Sequence, residues 1–260
     1  MRIFALSDPH LSFGTPNKAM DRFGPQWIGH PAKIEQQWRE RVGERDLVLV
    51  PGDVSWAMTL EQARPDLDFL GRLPGRKVLV KGNHDYWWGT ISKVRRALPP
   101  TTQALQGDAV RVDDVVIGGT RMWDSPEFDF GPIIDWKPGP GGAISMQRTS
   151  DDEAESLRIF ERELGRLERA MTALDALATA AGASTLRIAA THYPPCGADL
   201  APTKATALFE RHGVKQVVFG HLHSLRRDLA KAPFGARAGI QYTLAACDWI
   251  DFAPVLIAET

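Results

Sequence analysis

Two cysteines in 260 residues, Cys196 and Cys247, cannot frame a domain of this size with disulfides, and they read as free thiols of a reducing compartment. No stretch approaches the ~20 apolar residues of a membrane span. A formal net charge of −1 gives no global field to draw the chain to a polyanion or a membrane surface. Basic residues do not gather into an arm. The pairs Arg95–Arg96 and Arg226–Arg227 stand alone and read as solvated faces rather than a nucleic-acid track. The first apolar strand begins at Arg2, which leaves no room for a signal peptide before it, so the cytoplasm is the expected compartment. An apolar fraction of 43% and a charged fraction of 24% are those of an ordinary globular protein. One α/β domain over residues 1–260 is expected, with an irregular loop and long helix at 121–182 as its elaboration.

What the chain does have is a rhythm of short buried strands and helices. Apolar segments at 2–7, 46–51 and 76–81 alternate with helical patterns near 31–42, 58–72 and 90–97, which argues a mostly parallel sheet. Segments 101–106, 109–112 and 115–120 are short and separated by turns, and are expected to be antiparallel. A helix is expected from Ser150 to about Ala181, opening with a serine cap and an acidic first turn. Leu157, Phe160, Leu164, Leu167, Met171 and Leu174 form its apolar stripe. Strands near 186–190, 215–219, 225–229, 239–245 and 254–258 and a helix at 203–212 complete the chain. The two strand-rich halves can stack as a sandwich with helices outside.

Polar residues able to hold metals follow five of the apolar runs. They are Asp8 and His10 in "LSDPH", Asp53 in "VPGDV", Asn83 in "KGNHD", His192 in "ATHYPP", and His221 and His223 in "FGHLH". Five of the seven histidines fall in these blocks; His30 and His212 match none and read as structural or exposed. Residues at the ends of several buried strands converge at one edge of a sheet, where open α/β folds place their sites. On a continuing strand, positions i and i+2 share a face, so Asp8 with His10, and His221 with His223, can each grip a cation. The glycine before Asp53 lets the strand end in a sharp bend, and a lone carboxylate there suits a bridge between two ions. Oxygen and nitrogen donors of this kind suit Mn²⁺, Fe²⁺/Fe³⁺ or Zn²⁺. Such a set leaves a soft thiolate no place, so Cys196 is read as a non-ligand. Seven ligands are too many for one catalytic ion and suit two ions ~3.5–4 Å apart, the arrangement used for in-line displacement at phosphorus.

The blocks resemble the calcineurin-like metallophosphoesterase superfamily: "DPH" for its Asp-x-His, "GDV" for Gly-Asp, "GNHD" for Gly-Asn-His-Asp/Glu, the histidine of "THYPP", and "GHLH" for Gly-His-x-His. "GDVSWAM" and "KGNHDYWW" look like a bacterial branch of predicted phosphohydrolases. The resemblance implies a four-layer αββα sandwich, two mixed β-sheets flanked by helices, with a dinuclear metal centre. It assigns Asp8, His10 and His223 to one ion, Asn83, His192 and His221 to the other, and Asp53 to both. His84 is implied as the general acid or electrostatic partner of the leaving oxygen, after attack by a metal-activated hydroxide. Asp85 either orients His84 or caps the following turn.

A small phosphodiester or phosphomonoester is the expected substrate, with a nuclease or a protein phosphatase as alternatives on the same site. The near-neutral charge disfavours nucleic acid. A non-catalytic binding module of this fold is expected to have lost ligands or His84, and here all eight residues stand. Trp87 and Trp88 read either as a cleft wall or as packing under the sheet edge. Arg121, Trp123 and Arg148 flank the irregular segment, where a guanidinium can clamp phosphate in bidentate fashion. Loops 11–30 and 121–150, with the breaker at 137–142, are expected to set specificity.

Overall fold

The structure is a computed structural model that describes residues 1–135, 150–181, 185–228 and 234–260. Arg148 and the 137–142 breaker lie outside the described residues. In chain order the regular elements are β1 (Arg2–Ala5), α1 (His30–Arg41), β2 (Leu47–Val50), α2 (Leu60–Arg72), β3 (Arg76–Val80), α3 (Ile91–Ala97), β4 (Thr102–Leu105), β5 (Asp108–Val112) and β6 (Val115–Thr120). There follow α4 (Ser150–Ala181), β7 (Leu186–Thr191), α5 (Lys204–Arg211), β8 (Gln216–Phe219), β9 (Gly235–Arg237), β10 (Ile240–Leu244) and β11 (Val255–Glu259). Three short 3-10 turns, Pro16–Lys18, Met20–Phe23 and Pro25–Trp27, occupy the loop after β1.

Two mixed sheets form, in the orders β11-β1-β2-β3-β4 and β5-β6-β7-β8-β10-β9. Period-two alternation along the strands explains how they stack. Ile3, Ala5, Leu47, Leu49, Val78 and Val80 of the first sheet share a buried cluster with Val115, Ile117, Ile188, Ala190 and Val218 of the second. The alternate residues Phe4, Val48, Val50 and Leu79 face Ile34, Trp38, Leu67 and Leu70 of α1 and α2. Val116, Ala189, Val217 and Phe219 face Phe160, Leu167, Met171 and Leu174 of α4 and Leu208 and Phe209 of α5. The layers therefore run helix, sheet, sheet, helix, which is the four-layer sandwich expected from the sequence.

Three expectations are corrected. β4 pairs with β3 in parallel, Lys77 opposite Thr102, and is not antiparallel. A crossover through a helix, here α3, returns the chain in its original direction. The segment near 225 forms one bridge, Leu225 to Ile134, and the edge strand lies further on at β9. Leu157 is 48% exposed, because the packed stripe of α4 begins at Phe160. The serine cap expected at Ser150 concerns a side chain outside the described residues.

Candidate metal centre

The five motif blocks follow β1, β2, β3, β7 and β8. β1, β2 and β3 run parallel to one another, as do β7 and β8. Their trailing loops are zipped together by the backbone: Asp8 N–H donates to the Gly52 carbonyl (3.0 Å) and His10 N–H to that of Asp53 (3.0 Å). The donors are not on continuing strands. Asp8, His10, Asp53 and His221 have φ of 58°, 44°, 51° and 72°, the left-handed region. The i, i+2 argument therefore does not explain their convergence; consecutive sharp turns do. Such backbone is tolerated by Asp and His better than by most residues and costs on the order of 1–3 kcal/mol at each position. Two motif glycines make room for it. A Cβ at Gly52, itself at φ 104°, would lie 2.5 Å from Nδ1 of His192, and one at Gly220 would lie 2.2 Å from Oδ2 of Asp8.

All seven donors expected from the sequence come together. Donor atoms of Asp8, His10 and His223 lie within 4.8 Å of one another, and so do those of Asp8, Asp53 and His192. Asn83 joins them through Oδ1, which is 2.6 Å from Nε2 of His192 and 3.0 Å from Nδ1 of His221. Oδ2 of Asp53 stands between the two ends, 3.6 Å from Nε2 of His10 and 3.7 Å from Nε2 of His192. His10 and His223 point their Nε2 atoms at each other across 3.2 Å. His192 directs Nδ1 to the Pro51 carbonyl (2.9 Å), which leaves the Nε2 lone pair free to face the cluster.

The electrostatics match this geometry. Burial raises the carboxyl of Asp8 to about 8, with the charge of His223 opposing and that of Asp53 adding. Burial also raises Asp53. Burial lowers His10 and His221, and takes His192 down to about 3. Burial works against charge on His223 too, but Asp248 and then Asp8 lift it to about 9. Neutral imidazoles offer their lone pairs directly, and carboxyls that hold protons give them up when a cation takes their place. Oxygen and nitrogen donors of this type fit borderline divalent ions. Neither cysteine is among the donors that group together in the described residues. Burial pushes the Cys196 thiol up to about 12, and it packs in the helix-side core of the second sheet.

His84 leaves the backbone beside Asn83, and its N–H donates to Oδ1 of Asp53 (2.8 Å). Its ring lies 4.5 Å from that of Trp56 and 5.7 Å from that of His10. Nδ1 is buried with no protein partner among the described residues. Burial lowers this imidazole below its ordinary pKa, with Asp53 opposing. Asp85 does not orient it. Oδ1 of Asp85 accepts from Val54 N–H (2.9 Å), Ser55 N–H (3.2 Å) and Trp87 Nε1 (2.9 Å), and Oδ2 accepts from Gly82 N–H (2.8 Å). This residue pins the loops after β2 and β3 together. Trp87 and Trp88 are 3% and 2% exposed, so they are packing and not a wall of the cleft. His30 ties the loop after β1 in place, with Nε2 2.9 Å from the Pro9 carbonyl and Nδ1 3.0 Å from that of Trp27.

Sequence reasoning missed three residues. Asp248 holds Nδ1 of His223 at 2.8 Å. It follows β10, a strand parallel to β8 whose end carries none of the five motif blocks. Trp56, inside the "GDVSWAM" block, stacks on His10 at 4.9 Å between centroids. Lys81 lies two positions before Asn83 and lines a recess that also takes in Arg121.

The family model described as calcineurin-like phosphoesterase matches residues 1–225. Gene 66 protein of Mycobacterium phage D29 is 37% identical over 86 residues, which is 32% of this chain and 40% of that protein. The chain thus spans about 40% of the length of the curated relative it matches. The crystal structure of phosphopantetheinyl hydrolase (PptH) from Mycobacterium tuberculosis aligns over 100% of this chain and 96% of its own, with a TM-score of 0.50 and 15% identity, a likeness of fold. A protein of unknown function from Aquifex aeolicus aligns over 98% of this chain and 95% of its own, with a TM-score of 0.46 and 14% identity.

Proposed function

Since the chain belongs to the calcineurin-like phosphoesterase family, we propose that its strand-end cluster is a dinuclear centre that hydrolyses a small phosphodiester or phosphomonoester. Membership supports metal-dependent hydrolysis of a phosphoric ester as the coarse activity. Our reading adds the ligands, the number of ions and the size of the substrate. Asp8, His10 and His223 hold one ion, Asn83, His192 and His221 the other, and Asp53 bridges them. One observation carries this: donors from five strand ends converge, Asp8, His10 and His223 within 4.8 Å of one another, and Oδ1 of Asn83 2.6 Å from Nε2 of His192 and 3.0 Å from Nδ1 of His221. Mn, Fe or Zn suits the donor set. When bound, two such ions supply Lewis acidity and a nucleophile at neutral pH.

The chain's own residues supply the rest. Pro51 and Asp248 fix the tautomers of His192 and His223 by taking the ring N–H that does not face the cluster. His84 is the candidate proton donor to the leaving oxygen, its ring packed between Trp56 and His10 beside the cluster. The charged form of His84 is disfavoured by burial, and the negative charge of a bound phosphoryl group restores it. The walls of Trp56 and Trp27 keep water from the His10 side. A small substrate is favoured over nucleic acid by the net charge of −1. Among the described residues no helix is long and apolar enough to cross a membrane.

Metal analysis of the purified protein together with nitrophenyl phosphate turnover tests this reading. Two equivalents of transition metal are expected, with turnover of mono- or bis-nitrophenyl phosphate that chelators abolish. Asp53→Asn is expected to lower occupancy at both sites and to cut turnover by more than the ~10²–10⁴-fold typical of one acid–base group. A single tightly held ion, unaffected by Asp53→Asn, would sink the dinuclear assignment.

A further inference from the structure

A recess of about 370 Å³ opens beside Asn83, lined by Lys81, Arg121 and the aromatic rings of Tyr86, Trp123 and Tyr193. Its charges do not balance locally. Asp85 also lines it, but both oxygens of that carboxylate accept from N–H groups of the loops after β2 and β3. Its charge is turned into the protein. On the other side, the fully buried carboxylate of Glu163 serves three guanidinium groups, Arg166 at 2.6 Å, Arg121 at 3.6 Å and Arg162 at 3.7 Å. One negative charge facing three positive ones leaves a surplus. Arg121 is the least exposed of the three, at 19%. Its guanidinium lies 4.6 Å over the ring of Trp123, which holds its plane without neutralising it. Lys81 donates to the neutral carbonyl of Trp88 at 3.0 Å, which holds its charge in place, and Asp85 and Glu163 attract that charge only from beyond contact.

Two restrained cations with spare charge, in a half-enclosed recess next to a donor of the metal cluster, form a receptor for an anion. We infer that this recess binds a second anionic group of the substrate, a phosphate or a carboxylate, while the scissile phosphate sits at the metal centre. The inference rests on the hydrolase reading for what occupies the centre. It goes beyond that reading by naming the substrate class: a small molecule with two anionic groups a short linker apart. Aromatic walls around the cations lower the local dielectric and strengthen the attraction. Arg121 offers a planar fork for paired oxygens, and Lys81 a point charge that follows them.

Binding of phosphonates that cannot be hydrolysed reads this directly. Calorimetry on the metal-loaded protein would compare propylphosphonate, propane-1,3-bisphosphonate and 3-phosphonopropanoate. The two ligands with two anionic groups are expected to bind about tenfold tighter than propylphosphonate, the gain of one charge-assisted contact. The comparison between them tells phosphate from carboxylate. Arg121→Gln and Lys81→Met are each expected to shrink that preference more than they weaken propylphosphonate. Lys81→Met keeps the test open if Arg121→Gln disturbs the Glu163 cluster, and thermal melting monitors both. Equal affinity of wild type for all three ligands overturns the inference. So does a preference that survives both variants, or an equal loss on every ligand. If the preference stands while no phosphate ester is turned over, the anion recess holds and the hydrolase reading falls.

Discussion

At the His10–His223 end of the cluster the chain packs rings against its donors, with His10 buried and the His223 side chain 29% exposed, whereas at the Asn83 end it sets Asn83 and His221 beside charge and open space. His10 stacks on Trp56 at 4.9 Å and meets Trp27 edge-on at 6.0 Å, while Trp27 meets His223 at 5.7 Å and Phe252 at 5.1 Å. Asp248 locks the second ring of that pair. Opposite, Asn83 borders the recess of Lys81 and Arg121, and His221 borders a second hollow of about 350 Å³ between Trp123 and the Phe128–Phe130 segment. A donor held among rings loses little entropy when an ion arrives, and His10, 2% exposed, is poorly reached by water. A donor beside a hollow is reached by substrate. On our reading one end is built to keep its ion and the other to present it, with Asp53 coupling the two.

His84 tests how sharply the ends divide, because its backbone neighbours Asn83 while its ring packs against Trp56 and His10. His84→Ala is expected to leave metal content unchanged and to lower turnover by ~10²–10⁴-fold on alkyl esters, whose alkoxides need a proton. Nitrophenolate leaves without one, so the loss on nitrophenyl esters should be smaller. Equal losses on both classes would place His84 on the nucleophile or the ground-state phosphate.

A smaller effect is expected at Asp248, which touches the cluster only through His223. Asp248→Ala should weaken metal binding by ~10–100-fold, the usual cost of losing the partner of a ligating histidine, and one of two equivalents should be lost first. Asp248→Asn, which can still accept from the imidazole through its amide oxygen, should recover part of it. If both equivalents weaken together, the ends are not independent and the comparison fails.

What the sequence shows of all this divides along a physical line. Each proposed donor sits within a few residues of a short apolar strand, so a local pattern is enough to place Asp8, His10, Asp53, Asn83, His192, His221 and His223 at one edge. The layers follow from the same patterns, since strand alternation such as Ile3/Phe4/Ala5 already separates the two buried faces. Pairings across distance are another matter. Asp248 meets His223 from 25 residues away, and Glu163 meets Arg121 from α4; neither contact has a local signature. The direction of β4 depends on counting α3 as a crossover, and the left-handed turns at Asp8 and His10 depend on tertiary hydrogen bonds from the β2 loop. Local chemistry is legible in a chain. Its non-local partners are not.

The smallest and broadest effect expected is on the stability of the metal-stripped protein between pH 6.5 and 8. Asp8 and Asp85 are raised by burial to about 8 and about 7 from ordinary carboxyl values near 4. A group that binds its proton more tightly when folded contributes stability below its unfolded pKa and loses it as pH climbs to the folded value. Both carboxyls are therefore losing stability across this window. His223, raised to about 9, loses in the same direction once pH passes the unfolded imidazole value near 6.5. The opposing histidines, His10, His192 and His221, are lowered and exert their effect only below that value. Lys77, lowered to about 8 by burial, begins to oppose from about pH 7 and offsets part of the loss near pH 8. Each proton carries at most about 1.4 kcal/mol per pH unit, so the melting temperature of stripped protein should fall steadily from pH 6.5 to 8. In metal-loaded protein the ions have already displaced the protons of Asp8 and His223. The slope there should flatten toward what Asp85, which ties loops and faces no ion on our reading, and the other groups away from the cluster contribute. Identical slopes with and without metal would mean that Asp8 and His223 do not exchange protons for a cation, and would detach the walled end of the cluster from the centre.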